Sequence, residues 1–428
     1  MSEPRYKVYG YRWVVLAVFM LVNLAIQVLW IAYAPITGPA AHFYGVGDLQ
    51  IGLLSMTFMI VFVPVSLPVS WIIDTYGFRI AVGLGSVLMA IFAVLRGLAG
   101  NNYTYALLCT VGLAIAQPFL MNAWTKVPAN WFPINERATA VGLAVLSGLV
   151  GTALGLALSP MLAERFSIPT VQLIYGAVAT IAALLFVGLA RENPPTAPGP
   201  EGSDARALML DGLKHALKVP AFWLYLMVWF IGLSVFNGVS TWIENIVRPR
   251  GFSPAQAGQI GAVMLIGGIF GAFIIPGLSD RQRKRQRYML LGPLLAIPGL
   301  AGLAFAMSYP QLLVCAFVLG FFLVSSGPVG MQYAAEITHP TPEGTSAGII
   351  QLCGQVSVVF VYVMDALKEP DGSFTRSLLV AIGLLGISAL LATQLKDSLA
   401  AAPNQGSYPA GSALAAVEAI GLAEERDR

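Results

Sequence analysis

Twelve stretches of this chain contain no Asp, Glu, Lys or Arg and approach or exceed the length of a bilayer crossing, which excludes most folds at once. A bilayer core is roughly 30 Å thick and a helix rises about 1.5 Å per residue, so one crossing takes about 20 apolar residues. The stretches cover about 13–37, 50–73, 80–95, 103–125, 138–160 and 170–190, then about 220–243, 255–276, 288–307, 311–335, 345–364 and 377–395. No charge separates the ninth from the tenth, but Ser308, Tyr309 and Pro310 supply the turn chemistry between them. Only 11% of the 428 residues are charged and 57% are hydrophobic, whereas a soluble domain carries about 25% charged residues. The expected fold class is an all-α membrane protein with twelve transmembrane helices, its lateral surface in contact with the lipid bilayer.

The placement of charge predicts orientation. Lys and Arg in short loops stay on the cytoplasmic side. With both termini cytoplasmic, 18 basic residues fall inside and five outside, with Arg96 at the outer end of the third span and expected to snorkel to the headgroups. The run RQRKRQR at 281–287 makes the opposite orientation implausible. A net charge of +3 is too mild to suggest nucleic acid. Cys109, Cys315 and Cys353 lie in apolar stretches without disulfide or metal-ligand spacing, and no cofactor is implied. The N-terminal segment lacks a small-residue cleavage site, so the first span is expected to remain in place. Residues 1–190 form a first six-helix bundle, 191–218 a Pro/Gly-rich cytoplasmic linker, 219–396 a second bundle and 397–428 a cytoplasmic tail.

Two echoes relate the bundles. SWIIDTYGFR after span two answers PGLSDRQRKR after span eight, with Asp74 and Asp280 separated by 206 residues. PINERATA at 133–140 answers PTPEGTSA at 340–347, at an offset of 207. Two unrelated pairs at nearly one offset point to duplicated halves. Asp74 sits where a helix leaves the membrane and Gly77 permits a tight turn.

The first of these loops resembles the signature of the major facilitator superfamily, Gly-x-Leu-x-Asp-x-x-Gly-x-Arg/Lys. Ile72, Asp74, Gly77 and Arg79 fit it, and Ser70 replaces the first glycine. The resemblance implies two pseudo-symmetric six-helix bundles whose cytoplasmic loops bridge in one conformation and separate in the other. It assigns a gate-stabilising role to Asp74, Arg79 and Asp280, with Arg281 as the adjacent base and Glu136, Arg137, Glu336 and Glu343 as partners.

A narrower resemblance, to the feline leukaemia virus subgroup C receptor-related (FLVCR) transporters, rests on YRWVVLAVF at 11–19, LWIAYAPI at 29–36, HFYGV at 42–46, VPVSLPVSW at 63–71, WFPINERATA at 131–140 and AAEITHPTPEGTSAG at 334–348. It implies a small organic substrate: choline or a related amine, with haem and pyridoxine as the family's other associations. Trp30 matches the tryptophan that faces the quaternary ammonium in choline-transporting members, and Gln355 a glutamine beside it. Leu149 stands at a second glutamine position and Asn237 at a second aromatic one, so half of that site is missing.

Polar residues at helical spacing mark faces turned from lipid. Span one carries Asn23, Gln27, Trp30 and Thr37; span four Gln117 and Trp124; span seven Ser234, Asn237, Thr241 and Glu244; span eleven Gln351, Gln355 and Tyr362. Of these, Trp30, Gln355, Asn23, Gln27, Gln117, Asn237 and Gln351 are the expected substrate-binding residues. Ser147, Gly151, Gly155 and Ser159 share one face and read as close helix packing. Span interiors hold no carboxylate, His42, His215 and His339 read as loop residues, and Glu244 and Asp365 read as solvated end charges. The expectation is a monomeric secondary transporter of the cell membrane, working by facilitated diffusion without a buried proton relay. A non-transporting receptor on the same scaffold is the competing class. A membrane enzyme would need a buried nucleophile with a base, which the spans do not supply.

Overall fold

The computed structural model describes residues 7–196, 214–282, 284–338 and 343–396. Residues 197–213 of the linker 191–218 and the whole of the tail 397–428 lie outside these residues. Among the described residues, twelve helices are long and apolar enough to cross a membrane: α1 Arg12–Tyr44, α2 Asp48–Tyr76, α3 Phe78–Gly97, α4 Tyr103–Trp131, α5 Thr139–Ala163, α6 Ile168–Leu189, α7 Pro220–Thr241, α8 Pro254–Ser279, α9 Arg285–Phe305, α10 Tyr309–Ile337, α11 Gly348–Ala366 and α12 Thr375–Gln394. The twelve expected stretches are all present, and no strand occurs among the described residues.

Local chemistry sets several helix ends. Asn102 and Ser167 accept hydrogen bonds from the backbone N–H groups of Tyr105 and Thr170, capping α4 and α6. Gly77, at φ 84°, makes the tight α2–α3 turn that the signature loop predicts. Regular α-helix in α1 stops at Ile31 and resumes at Thr37 after a 3₁₀ turn over Ala34–Ile36. Pro35 in that turn has no N–H to offer the carbonyl of Ile31, which accounts for the break. His42 therefore lies on the helical extension of α1, on its exposed side, and not in a loop.

Within the first six helices α1 packs on α5, α2 on α4 and α3 on α6; within the last six α7 packs on α11, α8 on α10 and α9 on α12. Adding six to each label converts the first set into the second. Between the sets, α5 meets α8 and α2 meets α11, and the same operation exchanges these two contacts. The predicted small-residue stripe builds the α1–α5 contact: a Cβ on Gly151 would strike the carbonyl of Leu24, and one on Gly155 would lie 3.2 Å from that of Val28.

Opposite charges tie down the face that carries both ends of the described chain, here called the terminal face. Arg12 pairs with Glu136 at 2.9 Å, Lys126 with Asp74 at 3.5 Å and Arg285 with Glu336 at 3.1 Å. The Glu192 carboxylate accepts hydrogen bonds from the backbone N–H groups of Phe78 and Arg79 at the N-terminus of α3.

Gly151→Val places methyl groups against the α1 backbone. It is expected to destabilise the purified protein by about 1–3 kcal/mol, as overpacking does, and to lower its melting temperature in detergent. An unchanged melting temperature would show that the α1–α5 contact is looser than described.

Candidate functional site

A cavity of about 270 Å³ lies between the two helix sets. From the first six helices its wall takes Gln27, Trp30, Met59, Gln117, Met121, Trp124, Val145, Leu149 and Thr152. From the last six it takes, among others, Tyr225, Trp229, Phe236, Asn237, Met289, Met331, Gln351 and Gln355. No wall residue carries a formal charge. Tyr225 and Met289 lie in the second turns of α7 and α9, so the cavity runs from the level of Trp30 toward the terminal face.

Six of the seven expected residues line this wall: Trp30, Gln27, Gln117, Asn237, Gln351 and Gln355. Asn23 does not. It is 1% exposed and stands behind the wall, where its Oδ1 accepts the Trp124 indole N–H at 2.6 Å and its Nδ2 donates to the carbonyl of Phe19. Ser234 and Thr241 are buried in helix packing off the wall. Tyr362 is 52% exposed and turned outward. It sits one turn from the end of α11, where a phenol reaches the membrane interface more readily than the bundle centre.

The three tryptophans on the wall are held by their nitrogens. Trp30 Nε1 donates to the carbonyl of Ser55 at 3.2 Å, Trp124 Nε1 to Asn23 and Trp229 Nε1 to the carbonyl of Ile350 at 3.0 Å. With each N–H engaged on protein, the rings have only hydrocarbon and π surface to offer a solute. Hydrogen bonding falls to the amides. Gln117 Nε2 donates to Gln27 Oε1 at 3.3 Å, and the buried Gln117 Oε1 accepts no hydrogen bond from the described residues. Asn237 Nδ2 donates to Ser357 Oγ at 2.9 Å. Leu149 and Asn237, the two departures noted in the sequence, do border the cavity, while Trp124, Trp229 and Phe236 supply aromatic surface from other positions. Trp229 and Phe236 were missed because an aromatic residue in an apolar span looks the same whether it faces lipid or a cavity.

The opposite face is closed by groups from both helix sets. Asp48, at the start of α2, accepts from Arg248 Nη1 at 3.1 Å and from Lys368 Nζ at 2.7 Å. Arg248 also donates from Nε to Glu244 at 2.8 Å, and Glu244 accepts the backbone N–H of Gly38 at 3.2 Å. Glu244 is therefore no solvated end charge: its side chain is 2% exposed. The turn Ile243–Val247 after α7 folds it under the first helix set. Burial acts to depress the pKa of Arg248, and the hydrogen bonds and charges of Glu244 and Asp48 more than offset it, raising it overall. Below these charges the Trp242 ring sits against Gly52, where no Cβ would fit. The latch residues Asp48, Arg248 and Lys368 went unrecognised in the sequence because each, alone, is an ordinary helix-end charge.

Among the described residues, no ion pair bridges the expected gate on the terminal face. Asp74 and Glu136 pair within the first helix set and Glu336 within the second. Arg137 Nε donates to the carbonyl of Phe132 at 3.0 Å. The side chains of Arg79 and Arg281 are exposed and form no ion pair among the described residues. The side chains of Asp280 and Glu343 lie outside the described set. The described ion pairs on this face each lie within one half, and none crosses it.

The Major Facilitator Superfamily model matches residues 12–362. The chain belongs to that superfamily. It is 33% identical to solute carrier family 49 member A3 of Danio rerio over 87% of this chain and 82% of the relative. It is 28% identical to the choline/ethanolamine transporter FLVCR2 of Rattus norvegicus over 90% and 74% of the two chains. These relatives bear out the FLVCR resemblance. Among solved structures, its fold matches a bacterial homologue of the human lysosomal transporter Spinster in an inward-facing and unoccupied conformation, with TM-score 0.75 and 18% identity over 90% of this chain and 97% of that one. The protein is thus a multi-pass membrane protein of a superfamily of transporters.

Asp48→Asn removes the anion shared by Arg248 and Lys368. With spin labels at His42→Cys and Ser253→Cys, in a background lacking the native cysteines, the distance distribution across the opposite face is expected to gain a longer component. A loss of about 1 kcal/mol changes the open-to-closed ratio about fivefold. An unaltered distribution would show that the ion pairs do not hold this face shut.

Proposed function

We propose that the protein carries choline or a related organic amine across the cell membrane by facilitated diffusion, acting as a monomer through alternating access. The observation that carries this reading is the uncharged cavity at the junction of the halves, bordered by Trp30, Trp124, Trp229 and Phe236 and by four glutamines. An alkylammonium ion needs no hydrogen-bond acceptor at its methyl groups. It is attracted by the negative face of an aromatic ring, by about 0.5–2 kcal/mol per ring according to desolvation. The glutamine amides can meet a hydroxyl or amine at the other end of such a solute. The relatives named choline/ethanolamine transporters support the same substrate class.

The missing counter-ion has a kinetic meaning. A carboxylate in a low-dielectric cavity would hold a cation strongly and slow its release, whereas rings and amides bind it weakly enough to let go. With no carboxylate, histidine, lysine or arginine among the described residues of the wall, proton coupling has no carrier of the usual kind there, and a cationic solute would follow the membrane potential at about 2.3 kcal/mol per charge per 100 mV.

In this reading the terminal face is cytoplasmic, as the basic loops suggest, and the conformation is inward-facing. The Asp48–Arg248–Lys368 latch closes the outside while Asp74, Arg79, Glu136, Arg137, Arg281 and Glu336 form no described ion pair between the halves, and Asp280 and Glu343 are assigned to the same gate by the sequence. Rocking of residues 1–190 against 219–396 would break the first set of contacts and bring the second together.

Purified protein is expected to gain thermal stability with choline, and Trp30→Ala to weaken that binding about 2- to 30-fold, the range of one cation–π contact. Uptake into liposomes is expected to respond to an imposed membrane potential and not to a pH gradient. Equal stabilisation of both proteins by choline would remove Trp30 from the site. Uptake that depends on a proton gradient would replace the uniport reading, and stabilisation by pyridoxine or haem alone would replace the substrate.

A further inference from the structure

Arg96 ends α3 in the sequence, where a long cationic side chain would be expected to reach the headgroup layer. It is instead 1% exposed within the first helix set. Its Nη2 donates to the carbonyl of Leu29 at 3.1 Å, and its guanidinium carbon lies 5.4 Å from the centroid of the Tyr33 ring. It forms no ion pair among the described residues, and its Nε and Nη1 have no hydrogen-bond partner there. A cation buried without a counter-ion at membrane depth is costly, and apolar replacement of buried charges is often neutral or stabilising. Packing alone therefore gives no reason for an arginine at this place.

What the guanidinium does is set by the break in α1. Regular helix ends at Ile31, and Pro35 leaves the last turn short of an N–H donor. The carbonyls of that turn form the negative end of the helix dipole, where a cation is favoured. Leu29 is in that turn and Trp30 follows it. Trp30 is tied to α2 by a reciprocal pair: its indole N–H donates to the carbonyl of Ser55, and Ser55 Oγ donates to the carbonyl of Trp30 at 3.2 Å. The Leu29–Trp30 segment is thus held by α3 through Arg96 and by α2 through Ser55.

We propose that Arg96 is a positioning residue of the transport cavity: it fixes the broken end of α1 so that Trp30 presents its ring to the solute. The effect on transport rests on the choline reading above; the effect on Trp30 does not. Two readouts separate them. Full-length protein labelled with 5-fluorotryptophan reports Trp30 by fluorine NMR without any ligand, its resonance assigned with Trp30→Phe. Choline KM in proteoliposomes is measured for Arg96→Leu, Trp30→Ala and the double variant.

Arg96→Leu is expected to shift or broaden the Trp30 resonance while leaving that of Trp223, on the other helix set, in place. It is expected to raise the choline KM about three- to tenfold in the native background, within the range of one cation–π contact, and not to raise it further when Trp30 is already Ala. Arg96→Lys, which keeps the charge at the helix end, recovers part of the loss. An unmoved Trp30 resonance, or the same KM increase in both backgrounds, overturns the proposal. If Arg96→Leu does not yield folded protein, Tyr33→Leu, which removes the ring beside the guanidinium, takes its place with the same readouts and the same criteria. A native protein that does not move choline overturns the substrate reading, and the fluorine spectrum still decides the role of Arg96.

Discussion

Hydrocarbon offers no partner to a polar group, and the arrangement of this protein follows from that constraint. Asn23, Gln27, Gln117, Asn237, Gln351 and Gln355 turn away from lipid toward one another and toward the cavity. Where the backbone leaves regular helix in the latter part of the chain's first crossing, after Ile31, Arg96 supplies a donor to a carbonyl of the last turn. Arg250 does the same at the end of α9, donating to the carbonyls of Leu303 and Ala306, each at 2.8 Å. Both arginines act at helix C-termini, where charge and dipole agree.

Closure is built asymmetrically on a symmetric frame. The helix pairings of the first six spans recur in the last six, and the two cross-contacts, α5 with α8 and α2 with α11, exchange under the same operation. The charges break that equivalence. On the opposite face one carboxylate, Asp48, holds two cations from the other helix set. On the terminal face the described ion pairs stay within each set. The glycine at position 52 lets Trp242 seal the region beneath the latch, so packing and electrostatics close the same end.

The twelve spans were legible because charge-free length is a direct demand of the bilayer, and the repeat because the loop residues keep their spacing. The cavity was legible where a polar residue declared itself: Gln27, Gln117, Gln351 and Gln355 cannot face lipid cheaply. Trp229 and Phe236 were not, since an aromatic ring suits lipid and cavity alike. Tyr362 obeys the same spacing as Gln355 but lies one turn from the end of α11 with its side chain turned outward. Arg96 and Glu244 were misread for a common reason. Each lies at a helix end in sequence, and only the break in α1 and the fold-back of Ile243–Val247 bury them.

The Asp48 cluster stands at the rim of the membrane, with Arg248 37% exposed and Lys368 26%, whereas the cavity wall carries no charge. Ions screen exposed charges over about 8 Å at physiological ionic strength and over about 3 Å at 1 M. In the proposed transport cycle, salt in the compartment bathing that face would act on the balance between conformations and leave the recognition of a solute in the cavity nearly untouched. In that cycle a medium on one side of the membrane would set how often the protein turns over without altering what it selects.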